Sequence, residues 1–299
     1  MTKTRLTLLV VENNDYQAQQ TISATQAAQE CDAELQVIQT EHDAVMQSQE
    51  ILNLLYRPEG TRPEGLMFEP VGTPLAQAAR IAATSGVGWV VLNREVDYIS
   101  ELRRQFSSAV FSVTTDHAEV GRIQGQQIGK LLPRGGAVLY VQGPSDNKAA
   151  GRRAAAMLGA KPPKVDVRVL KGLWTEESAY HAVVSWLKLS VTKEVKFSLV
   201  AAQNDAMAIG ARRALEEHTS GAEREHWLSL PFIGCDGLPK TGQEYVHRGI
   251  LAATVVIPAN AGQAVKALVT AIRSKRQPEE CIFISSHSFP VLDALKPAR

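Results

Sequence analysis

Five apolar runs of this chain each end in polar or aromatic residues, and this pattern constrains the fold more than any other feature of the sequence. Each run is apolar enough to be a buried parallel strand. Their ends are Glu12-Asn13-Asn14, Asn93-Arg94, Trp174, Gln203-Asn204-Asp205 and Cys235-Asp236-Gly237. In open α/β sheets, ligands bind beyond the carboxyl ends of the strands. We therefore expect a site for one small polar molecule, lined by carboxylates, amides, a guanidinium and an indole.

Strand patterns and helix patterns alternate along the chain, which predicts βαβ units, parallel sheets and helices on both faces of each sheet. The pattern runs twice: one series ends near Val113, and a second begins with a helix at His117. The expected strands are 6–11, 33–40, 65–70, 88–93, 109–115, 137–143, 165–173, 197–203, 230–236 and 251–257. The clearest expected helices are 17–30, 44–56, 75–83, 118–132, 148–158 and 205–217.

Length and charge limit the classes of partner. The chain has 299 residues, enough for two domains, and its 44% hydrophobic and 21% charged residues are typical of a globular protein. With 32 basic against 31 acidic residues and no basic stripe, we expect no nucleic-acid partner and no anionic membrane partner. No apolar run approaches the roughly 18 residues of a membrane span, so we expect no membrane insertion.

Motifs of catalysis and metal binding are missing from the sequence. It contains no Gly-x-Ser-x-Gly elbow, no His-Glu-x-x-His and no Walker loop. Cys31, Cys235 and Cys281 have neither metal-ligand spacing nor the even number of a disulfide framework. We expect no enzyme, no cofactor and no metal. A carboxylate pair of Asp205 and Asp236 for glycosidic cleavage is the least favoured alternative.

Two segments carry a family resemblance. Residues 203–211, Gln-Asn-Asp-Ala-Met-Ala-Ile-Gly-Ala, and residues 232–237, Phe-Ile-Gly-Cys-Asp-Gly, resemble the type I periplasmic sugar-binding proteins, the relatives of ribose-binding protein. Residues 251–258 followed by Gly262 look like that family's late hinge strand and the helix after it. The resemblance covers nearly the whole chain. The same fold also serves as the effector domain of LacI-type repressors.

The resemblance implies a fold class and a domain division. The class is α/β, with two doubly wound parallel-sheet domains joined by a three-strand hinge. The implied N-terminal lobe is 1–114 plus 258–283, and the implied C-terminal lobe is 115–257 plus 284–299. The implied hinge crossings lie near residues 112–116, 253–258 and 283–288.

In the N-terminal half, the resemblance implies ligand contacts from Glu12, Asn14, Tyr16, Asn93 and Arg94. The family pattern at the last two positions is Asp-Arg, and the arginine fork suits two sugar oxygens. Here Asn93 replaces the carboxylate, and the alternative for Arg94 is a surface arginine. The family commonly has two aromatics where this chain has Tyr16 and a glutamine, so half of that aromatic clamp carries over. Glu12 is unusual for the family and is a candidate determinant of ligand specificity.

In the C-terminal half, the implied ligand contacts are Arg153, Trp174, Asn204 and Asp236. Arg152 is the second choice for Arg153, and a solvated helix face is the alternative for both. Trp174 is expected either to stack on a sugar ring or to pack on the helix after it.

The remaining expectations for this half concern carboxylates and one missing amide. Asp205 is expected to cap the helix that follows it. The alternative for Asp236 is a turn before Gly237. The apolar pair Val256-Ile257 stands where the family often has a ligand-binding glutamine.

The resemblance implies a solute-binding protein that closes by hinge motion around a sugar-like ligand. We expect a monomer that presents its ligand to an ABC-transporter permease. The alternative is a ligand-sensing module for a kinase or a transcriptional regulator. A repressor is less favoured, because no helix-turn-helix precedes the first strand.

Localisation depends on a signal peptide that this sequence does not display. We expect a periplasmic or extracytoplasmic protein if such a segment was removed, and a cytoplasmic one otherwise.

Overall fold

The structure is a computed structural model that describes residues 3–11, 15–41, 43–72, 75–189 and 195–298. The chain divides into two units. Unit 1 comprises Met1–Thr115 and Ala259–Ile284, and unit 2 comprises Asp116–Pro258 and Ser285–Arg299. The chain therefore passes from one unit to the other after Thr115, Pro258 and Ile284.

Strands and helices alternate as the sequence predicts. The strands are β1 (Thr4–Val10), β2 (Ala33–Gln39), β3 (Gly65–Phe68), β4 (Gly88–Leu92), β5 (Val110–Thr115), β6 (Gly136–Gln142), β7 (Val165–Lys171), β8 (Phe197–Ala202), β9 (Phe232–Asp236), β10 (Ala253–Val256), β11 (Cys281–Ile284) and β12 (His287–Phe289). The helices are α1 (Asp15–Glu30), α2 (Ala44–Leu55), α3 (Ala76–Thr84), α4 (Ile99–Gln105), α5 (His117–Leu131), α6 (Lys148–Ala160), α7 (Glu176–Leu187), α8 (Asp205–His218), α9 (Gly221–Ser229), α10 (Gly242–His247) and α11 (Ala261–Ser274). Helices α4, α9 and α10 are short and were not among the clearest helix patterns of the sequence.

Each unit holds one six-stranded sheet, and the two sheets share a strand order. Sheet 1 runs β11-β5-β4-β3-β1-β2, and sheet 2 runs β12-β10-β9-β8-β6-β7. All neighbours are parallel except β12, which is antiparallel to β10. The order reverses between β1 and β3 in sheet 1 and between β6 and β8 in sheet 2, which defines a doubly wound sheet. The predicted α/β class with two doubly wound sheets is confirmed.

Burial along the strands follows their place in each sheet. The central strands β3, β4 and β5 are buried throughout and read as continuous apolar or small residues. The edge strands β2 and β7 instead alternate, with the sequences AELQVIQ and VDVRVLK. Polar and charged residues on an edge strand discourage pairing with another chain.

Helices cover both faces of each sheet. In unit 1, α1 and α11 pack on one face and α2, α3 and α4 on the other. In unit 2, α5 and α6 cover one face, and α7 and α8 cover the other. In the described part of the chain, no helix combines the length and the apolar character needed to cross a bilayer.

Helices α5 and α6 approach closely at Gly121. A Cβ atom at this position would collide with the backbone carbonyl of Arg153, so only glycine permits the contact. This contact fixes how closely α6 packs against α5, and therefore the position of Arg153 on α6.

We expect Gly121→Ala to lower the free energy of unfolding by about 1–3 kcal/mol, because the clash is with backbone and cannot be relieved by a side-chain rotation. The matched control is Gly151→Ala on α6, where a Cβ would meet nothing within 4 Å. This control should raise stability by roughly 0.5–1 kcal/mol, the usual gain of alanine over glycine in a helix. Urea unfolding of both variants measures the difference, and equal effects would contradict the close approach.

Candidate functional site

The reversal of strand order in sheet 1 falls between β1 and β3, and polar residues follow the strands there. Glu12 and Asn14, predicted after β1, lie outside the described residues. Glu69 follows β3, and Asn93 and Arg94 follow β4. Glu69 was not predicted, although the strand-end rule applied to β3 points to it directly.

A hydrogen-bonded cluster joins these strand ends to α1 and to the start of α11. We call it the unit 1 cluster; its members are Tyr16, Gln20, Glu69, Asn93 and Asn260. Asn93 Nδ2 donates to Glu69 Oε2 at 3.0 Å, and its Oδ1 accepts from Tyr16 at 3.2 Å and from Asn260 at 2.6 Å. Gln20 Nε2 donates to the Tyr16 hydroxyl at 2.9 Å and to Asn260 Oδ1 at 2.8 Å. Gln20 and Asn260 are buried, so these amides hold the strand ends in place.

The cluster gives a physical reason for asparagine at position 93. The Asn93 amide nitrogen donates to a carboxylate, which an aspartate cannot do. An aspartate would instead set two negative charges against each other. The carboxylate expected at this strand end is therefore present one strand away, at Glu69.

Arg94 completes this end of unit 1. Its Nε lies 3.9 Å from Glu69 Oε1, and 49% of its side chain is exposed. A loose, half-exposed pair of this kind contributes little to stability. The guanidinium is therefore free to turn toward a ligand oxygen at small cost.

In unit 2, the side chain of Arg153 is held against the strand ends. It is 9% exposed; its NH1 donates to the Gln203 carbonyl at 2.7 Å and lies 4.0 Å from Asp236 Oδ1. Its Nε lies 3.4 Å from His117 Nδ1. Of the two arginines considered from the sequence, Arg153 is buried and Arg152 is exposed. We call Arg153, Trp174, Gln203, Asn204, Asp205 and Asp236 the unit 2 cluster.

Trp174 lies partly buried over Gly143, with the Arg153 guanidinium carbon 5.5 Å from its ring centroid. A Cβ at Gly143 would come within 2.5 Å of the indole, so a glycine is required beneath the ring. The indole also packs against the hydrophobic core that includes Ala179 of α7. The indole thus has a packing role within unit 2, and both stacking on a ligand and packing on the following helix stay predictions.

The junction of β8 and α8 differs from the sequence expectation. Asn204, not Asp205, caps α8: its Oδ1 accepts from Met207 N at 2.9 Å, and its Nδ2 donates to the Trp174 carbonyl at 2.8 Å. A helix cap has an extended backbone and directly precedes the first helical residue. In α8 the first helical residue is Asp205, so the cap is Asn204. An amide has further lone-pair and N–H capacity, so a ligand contact from Asn204 stays a prediction.

Asp205 has a different structural role. Its carboxylate is 4% exposed and accepts from the Gly237 amide at 2.8 Å and from the Thr254 hydroxyl at 2.7 Å. Burial raises the pKa of Asp205 well above its ordinary value, and the negative charge of Asp236 adds to the increase. Asp205 thus connects α8 to Gly237, the residue that follows Asp236 at the end of β9.

Asp236 is the less buried of the two carboxylates in the unit 2 cluster, with 31% of its side chain exposed. Burial raises its pKa to about 6, although the Arg153 guanidinium opposes the shift. At neutral pH this group accepts hydrogen bonds, and in mild acid it becomes neutral.

Three predicted contact residues share an unusual backbone. Asn93, Trp174 and Asp236 have positive φ angles of 58°, 66° and 94°. Such angles are uncommon for residues with a side chain and cost about 1–3 kcal/mol each where the residue is bulky. They turn these side chains away from the strand direction. Strain of this kind concentrates at ligand sites.

Gln203 was not among the predicted contacts, and it organises the centre of the unit 2 cluster. It is completely buried; its Oε1 accepts from Gly143 N at 2.9 Å, and its Nε2 donates to the Tyr140 hydroxyl at 2.9 Å. Its amide is fully engaged within the protein, so it supports the site rather than facing a ligand. Within the described residues, no group of three or more His, Cys, Asp or Glu side chains could hold a metal ion.

The model of the family described as "Periplasmic binding protein domain" matches residues 7–276. The chain belongs to this family. The resemblance to the type I sugar-binding proteins is thereby confirmed. Members of the family are binding proteins, so the expectation that this periplasmic binding protein is not an enzyme is confirmed as well.

Individual relatives are distant. The ribose import binding protein of Escherichia coli is 25% identical over 193 residues, which are 64% of this chain and 58% of that protein. The chain spans about half to three-fifths of the length of the curated relatives it matches, from 48% to 58%.

Solved structures share the fold over nearly the full chain. A periplasmic solute-binding protein of an ABC transporter from Actinobacillus succinogenes, with bound D-allose, has a TM-score of 0.79 at 19% identity, covering 96% of this chain and 97% of that one. The fructose-binding periplasmic domain of a hybrid two-component system has a TM-score of 0.74 at 18% identity, covering 95% and 89%.

The Asn93–Glu69 contact predicts a pH-dependent loss of stability for Asn93→Asp. Two neighbouring carboxylates raise the pKa of one of them in the folded state, so the penalty is absent in acid and develops as pH rises above the ordinary carboxyl pKa. We expect the variant to be destabilised by about 1–3 kcal/mol at pH 7.5 and by less at pH 4.5. Urea unfolding at both pH values measures this, with Asn93→Ala as the control that removes the same bonds without a charge. The same pH dependence in both variants would contradict the interpretation.

Proposed function

We propose that this protein is a solute-binding protein that captures an uncharged sugar or polyol for an ABC transporter. The observation that carries the proposal is the left-handed backbone at Asn93, Trp174 and Asp236, three strand ends that present an amide, an indole and a carboxylate. The strain at these positions is consistent with a site whose side-chain directions matter more than local stability.

The chemistry of the two clusters favours hydroxyl groups. Arginines donate in a fixed fork, carboxylates accept, and an indole covers an apolar ring face. Among the described proposed contacts, each of the two partly exposed carboxylates also lies near an arginine: Glu69 at 3.9 Å from Arg94, and Asp236 at 4.0 Å from Arg153. Because these charges offset each other, a neutral ligand is favoured over an ionic one.

The proposed contacts are those predicted from the sequence, with Glu69 added. They are Glu12, Asn14, Tyr16, Glu69, Asn93, Arg94, Arg153, Trp174, Asn204 and Asp236. Glu69 joins the set because it lies at the reversal of strand order and because Arg94 and Asn93 both contact it. We propose that residues of both units contact one ligand and that the units act as the two predicted lobes.

The proposed setting is that of the family. Its description supports a periplasmic or extracytoplasmic location. The likeness to a solute-binding protein of an ABC transporter supports a permease as partner, and we propose that the chain acts as a monomer. A ligand-sensing domain is the second candidate, supported by the likeness to the fructose-binding domain of a two-component system. Copurification with a permease or with a kinase separates the two.

A thermal-shift panel of D-ribose, D-allose, D-fructose and myo-inositol, followed by calorimetry of any compound that raises the melting temperature, tests the proposed function. A ligand at a hundredfold excess over its Kd stabilises the fold by about 2.7 kcal/mol. Arg94→Ala and Asp236→Ala should each weaken binding by about 1.5–3 kcal/mol, because each leaves ligand hydroxyls without a charged partner. The control is Lys240→Ala, an exposed lysine outside both clusters. Wild-type affinity in both cluster variants would place the site elsewhere.

Asp236 also predicts how affinity depends on pH. Its pKa of about 6 means that the carboxylate is ionised above pH 6 and neutral below it. A neutral acid is a weaker acceptor for ligand hydroxyls, so affinity should fall as pH drops from about 7 to 5.

In Asp236→Asn, affinity at pH 7 should be lower and the dependence between pH 5 and 7 should be lost. Calorimetry across that range measures both quantities. His117 lies 3.4 Å from Arg153, and His117→Gln is the control. If His117→Gln removes the dependence and Asp236→Asn does not, the assignment to Asp236 is wrong.

A further inference from the structure

A groove lies at the opposite end of sheet 2 from the unit 2 cluster. Its volume is about 710 Å³, and it is lined where β6, β8, β9 and β10 begin. The cluster residues follow the carboxyl ends of the same sheet. A parallel strand rises roughly 3.3 Å per residue, so about 20 Å separates Phe197 in the groove from Gln203 in the cluster.

Basic side chains line this groove. Arg134 precedes β6, Lys196 precedes β8, Arg212 lies on α8 and Lys296 lies in the C-terminal segment. None of the residues that line the groove is acidic, and none of these four cations forms an ion pair with a described residue. The chain as a whole is almost neutral, with a net charge of +1. Four unpaired cations from four separate segments therefore concentrate positive charge in one concave place.

The groove also offers apolar and polar contacts. Arg212 lies over the Phe232 ring, its guanidinium carbon 5.2 Å from the centroid, so the charge is held in place by an aromatic face. The His226 Nε2 atom is buried and has no hydrogen-bond partner among the described residues. A buried polar atom of this kind costs about 1–3 kcal/mol when it stays unpaired.

We propose that this groove is a second ligand site of unit 2, for a small organic phosphate with an apolar or aromatic body. Phosphate oxygens accept charge-assisted hydrogen bonds from arginine and lysine. Leu228, Leu230 and Ile250, which are partly exposed along the groove, contact the apolar body. The volume of about 710 Å³ lies within the range of small-molecule sites. This site is separate from the proposed sugar contacts, and neither depends on the other.

Isothermal titration calorimetry of the full chain with phenyl phosphate tests the proposal. We expect saturable binding that weakens with added salt, because exposed charges are screened. Inorganic phosphate should bind more weakly than phenyl phosphate, since it lacks the apolar body. The double variant Arg212→Gln/Lys296→Gln should lose about tenfold or more in affinity.

The matched control is Lys240→Gln/Arg276→Gln, which removes the same charge from two exposed positions outside the groove. It should bind phenyl phosphate as the wild type does. Circular dichroism establishes that each variant is folded, and the single variant Lys296→Gln replaces the double one if Arg212 is needed for folding. Sugar binding measured in the same variants should be unchanged.

Three outcomes overturn the proposal. One is the absence of saturable phenyl phosphate binding at millimolar concentration. Another is equal loss of affinity in the groove variant and in the control, which would mean nonspecific charge attraction. The third is cosedimentation with phosphatidylglycerol vesicles without binding of the soluble phosphate, which would make the groove a lipid-headgroup surface.

Discussion

The buried carboxylate of Asp205 holds together the part of unit 2 on which the proposed site depends. It accepts from the Gly237 amide and the Thr254 hydroxyl, and so joins α8 to β10 and to the residue after Asp236. Burying a carboxylate is costly, and the cost is tolerated here because both oxygens are hydrogen-bonded. Its neighbour Asp236 then keeps a fixed position at the end of β9 while one face remains open to solvent.

In unit 1, buried amides rather than a buried carboxylate hold the strand end in a fixed position. Gln20 and Asn260 are buried and reach from α1 and from the start of α11 to Asn93. An amide donates and accepts at once, so a chain of amides can pass from element to element without charge. In both units, buried polar side chains orient the strand ends, and the charged residues left partly exposed there are Glu69, Arg94 and Asp236.

Most of the fold could be predicted from the sequence, because hydrophobic periodicity is a local signal. Every expected strand is present, and parallel sheets with helices on both faces follow from the alternation of strands and helices. Short helices such as α9 and the antiparallel strand β12 were harder to predict from the sequence, because a segment of a few residues shows little hydrophobic periodicity. The site was predicted where a polar residue directly follows a long apolar run, as Asn93 and Asp236 do. Glu69 was missed because the expected strand ran from 65 to 70 and included it, whereas β3 ends at Phe68.

The sequence by itself determined which side chains stand at the carboxyl ends of the strands, because each apolar run and its polar end are neighbours in the chain. Only the tertiary structure decided how those side chains are used. Asn204 became the helix cap and Asp205 the buried link, although the two are adjacent and both are good capping residues. Asp205 has the linking role because its carboxylate accepts a hydrogen bond from Thr254, a residue 49 positions away in the sequence. Likewise, the four cations of the groove are far apart in the sequence. They converge because β6 and β8, which Arg134 and Lys196 precede, lie side by side, and because α8 and the C-terminal segment bring Arg212 and Lys296 to the same end of the sheet.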